Sequence, residues 1–149
     1  MRGRWDCRAK HASAFRFDLT RHELVAGAPG LRAVFHGYSD ARDPAPAVLC
    51  YSLEEVLAEK IRALVERTGR ARDVYDVVNV GRNFADRLDV GRARAFLAAK
   101  FAFKSLPHPA PAAIVSGIDA ATLAADWTQA LRHQLPVLPP VAEFLNSAW

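Results

Sequence analysis

Lys60 is the residue of this 149-residue chain whose setting demands the most chemistry. In the stretch YSLEEVLAEKIRALVERTGRARDVYDVVNV, residues 51–80, the apolar residues Leu53, Val56, Leu57, Ile61 and Leu64 recur with helical period. They define a face that packs inward. Lys60 falls inside that face, three residues after Leu57 and four before Leu64, and Arg67 follows two turns on in the same lane. Burying an ammonium group without a partner costs several kcal/mol, so Lys60 must snorkel, pair with a carboxylate, or hold an anionic ligand.

The helix that follows offers carboxylates. Asp73, Asp76, Val77, Val80 and Phe84 share a face, so two acids lie on the side that meets the lysine helix. Asp73 is also in the first turn, where the helix dipole favours negative charge, and Arg70 and Arg72 crowd the turn before it. Two readings stay open. In one, Lys60 or Arg67 pairs with Asp73 or Asp76 and the pairs fix the helix crossing. In the other, Lys60 and Arg67 face a phosphate-bearing ligand while the aspartates orient them.

The elements that must position these groups are well marked. Ser52 followed by Glu55 is a capping box, with Tyr51 and Val56 at the places of a hydrophobic staple. Glu55, Glu59, Arg62 and Glu66 fall opposite the apolar face, and a solvated surface is expected for them.

On these residues the segment resembles the AbiEii/AbiGii family of bacterial nucleotidyltransferase-like toxins. The shared pattern is a lysine helix, Glu55, Lys60, Ala63, Leu64 and Arg67, followed by an aspartate turn, Arg72, Asp73, Tyr75 and Asp76. The resemblance implies that Lys60, Asp73 and Asp76 act in catalysis and that Arg67 and Arg72 bind substrate. It also matches FDLTRHE to a strand that carries a third carboxylate, which would make Asp18 a catalytic and metal-facing residue; an outward strand aspartate is the plain alternative. Mg2+ and a nucleoside triphosphate are the implied cofactor and substrate. Implied partners are a nucleotide, tRNA or another RNA, and a cognate antitoxin protein. The family's metal carboxylates are expected in a Gly-Ser turn followed by Asp-x-Asp or Asp-x-Glu, and this sequence contains neither the pair nor the motif. A truncated homologue, a separately encoded half, or a C-terminal portion is therefore expected.

Composition fits this frame without requiring it. Hydrophobic residues at 51% with 24% charged describe an ordinary globular protein. No run approaches the length of a membrane-spanning helix, and MRGRWDCRAK lacks the apolar core of a signal peptide, so a cytoplasmic location is expected. Cys7 and Cys50 form no CxxC pair, and the five histidines show no metal-ligand spacing. A formal charge of +4, supplied mostly by arginine, suits a phosphate-rich partner or an arginine-rich composition alike.

Taken in order, residues 1–50 read as a β region and 51–149 as a helical region, together one structural unit of α+β class. The sheet is expected to be part of a nucleotidyltransferase-like sheet, with a helical bundle behind it. SAFRFDLT alternates as a strand does, LRAVFHGYS is a second candidate, and the apolar run AVLCYS is expected to be a buried strand that leads into Ser52. A third helix is expected from about Asp89, with Ala95, Phe96, Ala99 and Phe103 packed and Phe96, Phe101 and Phe103 in the core. Pro107, Pro109 and Pro111 stop it. Asp119 is expected to cap the next helix, with Leu123, Trp127 and Leu131 buried, and a short helix closes the chain after Pro140. Two functions from different classes follow. One is a nucleotidyltransferase toxin or its C-terminal half. The other is a catalytically inactive helical module that binds an antitoxin or RNA.

Overall fold

The computed structural model describes residues 2–5, 13–16, 20, 22–35, 37–39, 41–67 and 70–146. Two antiparallel two-stranded sheets come first. The strands β1 (Arg2–Trp5) and β2 (Ser13–Arg16) form one, and β3 (Gly30–Ala33) and β4 (Ala47–Cys50) form the other. In the second sheet Leu31 stands opposite Leu49, and Arg32 opposite Val48. Helices follow: α1 (Leu53–Glu66), α2 (Ala71–Phe84) with a 3-10 turn at Ala85–Arg87, α3 (Val90–Phe103), α4 (Pro111–Ser116), α5 (Ala120–Leu131) and α6 (Val141–Asn146). The α+β class and its order, small sheets before helices, are as expected.

The helix starts follow their capping residues. The Ser52 hydroxyl accepts from the Glu55 N–H at 3.2 Å, Asp89 accepts from the Arg92 N–H at 3.0 Å, and Asp119 accepts from the Thr122 N–H at 2.6 Å. Each satisfies one of the orphan donors of a first turn. Helix α3 ends with Ser105 at φ 53°, the Ser105 N–H bonded to Ala102 O and the Leu106 N–H to Phe101 O. That is a Schellman ending with serine where glycine is the usual residue, and Leu106 packs back beside Phe101.

The core has two parts. Leu64, Ala71, Val74, Leu123, Trp127, Leu131 and Phe144 form the larger one, where α1, α2, α5 and α6 meet. Phe144 stacks on Tyr75 with ring centroids 5.0 Å apart, and the Trp127 indole N–H donates to Pro139 O at 2.8 Å. Ala58, Leu97 and Phe101 form the smaller part between α1 and α3. Leu123, Trp127 and Leu131 are thus buried as the spacing predicts.

Several expectations fail, mostly for one reason. Helix α1 packs against α2 and α3 together, so both of its flanks lose solvent. Glu55 and Arg62, expected on a solvated side, are 1% and 6% exposed, and Glu59 is half-buried; Glu66 alone of the four is exposed. On α3 the buried residues are Ala93, Leu97, Lys100 and Phe101; Phe101 is in the core as expected and Phe96 packs half-buried against it, whereas Ala95 and Phe103 are exposed. Strand β4 lies where expected but is not buried, since Leu49 is 69% exposed and no layer of described residues covers the β3–β4 pair. Pro111, expected only to stop α3, instead opens the short helix α4.

Candidate functional site

Helices α1 and α2 bring the lysine and both aspartates together. Lys60 Nζ lies 2.5 Å from Asp76 Oδ2 and 3.5 Å from Asp73 Oδ1. The Asp73 side chain is nearly buried, whereas a third of the Lys60 side chain reaches solvent. Burial acts to lower the pKa of Lys60, but the hydrogen bond and charge of Asp76, then Asp73, outweigh it and hold the pKa above 10.5. Lys60 is therefore cationic at any physiological pH. An ammonium has three donors, and two carboxylates leave one for a ligand.

Lys60 and Asp73 line a cleft of about 980 Å³. Its cationic wall is Lys60, Arg67, Arg70 and Arg72, with Asp73 among them in the lining. Arg67 is half-exposed and its Nη1 lies 4.0 Å from Asp73 Oδ2, a loose ion pair that leaves half of the side chain open to solvent. Arg72 is turned toward α5, where its Nε donates to Ala130 O at 3.2 Å and its Nη2 lies 3.3 Å from His133 Nε2. The α5 side of the cleft carries Thr122, Asp126, Gln129 and Ala130. Asp126 Oδ2 also accepts from the Ala71 N–H at 3.3 Å and so satisfies one donor at the start of α2.

Sequence reasoning named Lys60, Arg67, Arg72, Asp73 and Asp76, and the structure places all five within one neighbourhood. Asp18 lies outside the described residues. The α5 wall was missed: Thr122, Asp126 and Gln129 form a polar lane beside the apolar lane of Leu123, Trp127 and Leu131, the pattern that any solvated helix face shows. Lys100 was missed as well. It is a lysine inside an apolar run, the same signal that marks Lys60, and it is 2% exposed.

Lys100 joins α3 to the other flank of α1. Its Nζ lies 2.6 Å from Glu55 Oε1, 3.3 Å from Glu59 Oε2, and donates to Leu24 O at 2.7 Å. The other groups on Glu55 are the N–H donors of Ala26 and Gly27, at 3.0 and 2.8 Å. Glu55 therefore does not reach back to the helix start as a full capping box would; it anchors the Leu24–Gly27 segment onto α1 and α3. Burial pushes its carboxyl up, but the bonds from Lys100, Ala26 and Gly27 win and hold it below 4.5.

The described carboxylates of this cleft do not fit a divalent metal by themselves. Asp73 and Asp76 both engage Lys60, Asp126 caps α2, and no three His, Cys, Asp or Glu side chains gather among the described residues. What the arrangement can do is bind an anion. Four cations face two carboxylates across the lining, and arginine forks suit phosphate oxygens.

A family model described as Nucleotidyl transferase AbiEii toxin, Type IV TA system, matches residues 9–147. The chain belongs to this family. No curated protein and no solved structure matches it. Membership in a nucleotidyltransferase family points to the use of a nucleoside triphosphate and a divalent metal, and membership in a toxin–antitoxin family to a nucleotide and an antitoxin as partners. No helix among the described residues of this AbiEii-family chain is long and apolar enough to cross a membrane.

Proposed function

We propose that this chain serves nucleotidyl transfer as an AbiEii-type toxin or its C-terminal half, moving a nucleotide from a nucleoside triphosphate to an acceptor such as tRNA. The observation that carries the proposal is the clamped lysine in an arginine-walled cleft. Lys60 is held by Asp73 and Asp76 in one orientation, and preorganised donors of this kind stabilise charge on phosphate oxygens without reorganising. Arg67 and Arg70 supply further cations, and Arg72, already braced on α5, ties the two walls of the cleft together. In this scheme Lys60, with Arg67 and Arg72, holds the triphosphate, and Asp73 and Asp76 orient the lysine.

Calorimetric titration with a nucleoside triphosphate in magnesium buffer tests this. Wild type should bind, and Lys60→Ala should bind about tenfold or more weakly, as the loss of a charge-assisted contact requires. Absent binding by wild type, or equal binding by the variant, overturns the proposal.

A specific observation favours a second reading, in which the chain is an inactive helical module that binds an antitoxin or RNA. Both aspartates of the signature are taken up by Lys60, and the sequence holds no Asp-x-Asp or Asp-x-Glu. Incubation with RNA and a radiolabelled nucleoside triphosphate separates the two, because only the transferase reading predicts label in the RNA.

A further inference from the structure

The two walls of the cleft differ in chemistry. The cations stand on α1 and at the start of α2, whereas α5 contributes Thr122, Asp126, Gln129 and Ala130, none of them cationic. Successive spacings of four and three put the three polar residues in one lane of α5. The core takes the neighbouring lane, so this one is left for the cleft. Asp126 gives one oxygen to the Ala71 N–H, and its Oδ1 has no partner among the described residues. Gln129 is exposed and likewise unpartnered there.

An ionised carboxylate oxygen only accepts, whereas an amide donates and accepts. Side by side on one lane, the two groups complement a ring edge that presents an amino donor next to ring acceptors. Cytosine and adenine have such an edge on their Watson–Crick side, and guanine has one where its amino group adjoins N3. Uracil sets a carbonyl oxygen where cytosine has its amino group, which would face the carboxylate with no hydrogen between them. The cleft, at about 980 Å³, has room for a nucleotide that spans it.

We infer that α5 is the base-reading wall of this cleft: Asp126 Oδ1 and Gln129 bind the hydrogen-bonding edge of an amino-bearing nucleobase and discriminate against uracil, while the phosphates lie on the facing arginines. The inference rests on the nucleotide reading above and adds to it the determinant of which nucleotide is taken. A site built to hydrogen-bond a particular group penalises the analogue that lacks it, because its own polar atoms are then left unpaired.

Calorimetry with three probes in one magnesium buffer tests it: CTP, UTP and inorganic triphosphate. CTP should bind about fivefold or more tightly than UTP, the size of one good base contact. Asp126→Asn keeps an oxygen for the Ala71 N–H but turns the other atom into a donor, so the preference should vanish or reverse. Gln129→Ala, at an exposed position that threatens no packing, should weaken CTP and leave inorganic triphosphate unchanged. Lys60→Ala should weaken all three. Equal binding of CTP and UTP by wild type, or a CTP preference that survives Asp126→Asn, overturns the base-reading wall while the phosphate site stands. Failure of all three probes to bind overturns both.

Discussion

At the scale of single residues, two lysines in apolar faces have taken different routes to the same electrostatic requirement. Lys60 stays a third exposed, between two acids and a cleft, and so keeps a donor for a ligand. Lys100 is 2% exposed and spends its charge on Glu55, Glu59 and the Leu24 carbonyl. Removing one member of such a buried pair strands the other, at a cost of roughly 3–5 kcal/mol. Lys100→Met should lower the unfolding free energy measured by urea titration by that much, and Glu55→Gln with Lys100→Met should recover a good part of it; equal loss in single and double variants would mean packing, not charge, sets the cost. The same pair fixes an acid limb. The Glu55 and Glu59 carboxyls are held below 4.5 in the folded chain despite their burial, by Lys100 and, for Glu59, first of all by Arg62. Their contribution is therefore present above the unfolded value and is lost as pH falls through the lower folded values. Stability measured by urea from pH 7 to pH 3 should drop below about pH 4.5, and Lys100→Met should flatten that drop.

At the scale of elements, the site depends on how three helices are started and stopped. Helix α1 begins at Ser52 and carries Lys60 two turns later, and α2 begins at Ala71, where Asp126 of α5 accepts from the first N–H. The α1–α2 turn and the α5 lane are thereby tied together, which is why the cleft has two walls. Helix α3 is held on the far flank of α1 by the Glu55–Lys100 pair and by Ala58, Leu97 and Phe101. Its ending stores a local cost, since Ser105 adopts a left-handed φ of 53° that an L side chain resists by about 1 kcal/mol. Ser105→Gly should raise the melting temperature by a few degrees, less the entropy that glycine adds to the unfolded chain. A fall instead would mean that the serine side chain contributes more than its backbone costs.

At the scale of the whole molecule, the helical part is closed around its core while the β3–β4 pair is not. Leu31 and Leu49 face each other across the strands, both 69% exposed, with Phe35 beyond them at 85%. A short two-stranded sheet with an apolar face and open edges is a hazard for self-association. Leu31→Lys with Leu49→Lys should shift light-scattering onset to higher protein concentration while thermal stability stays within about 0.5 kcal/mol, because neither side chain is buried. A large loss of stability would show that these residues are packed in solution.

What the sequence determined by itself is what depends on neighbours along the chain. Helical period, the caps Ser52 and Asp119, the start of α3 near Asp89, the core lane of α5, and the need of Lys60 for an acidic or anionic partner across one turn were all legible, because they follow from local geometry and from the cost of an unpaired charge. What only the tertiary structure decided is which flanks of a helix lose water. Amphipathic patterning assumes one buried side, and α1 has two neighbours, so Glu55 and Arg62 went inside with ionic partners and Lys100 became a core residue. The second wall of the cleft was hidden for a related reason. Thr122, Asp126 and Gln129 look like any solvated lane until the fold sets them across from arginines at least fifty residues away in sequence, and no local rule carries that distance.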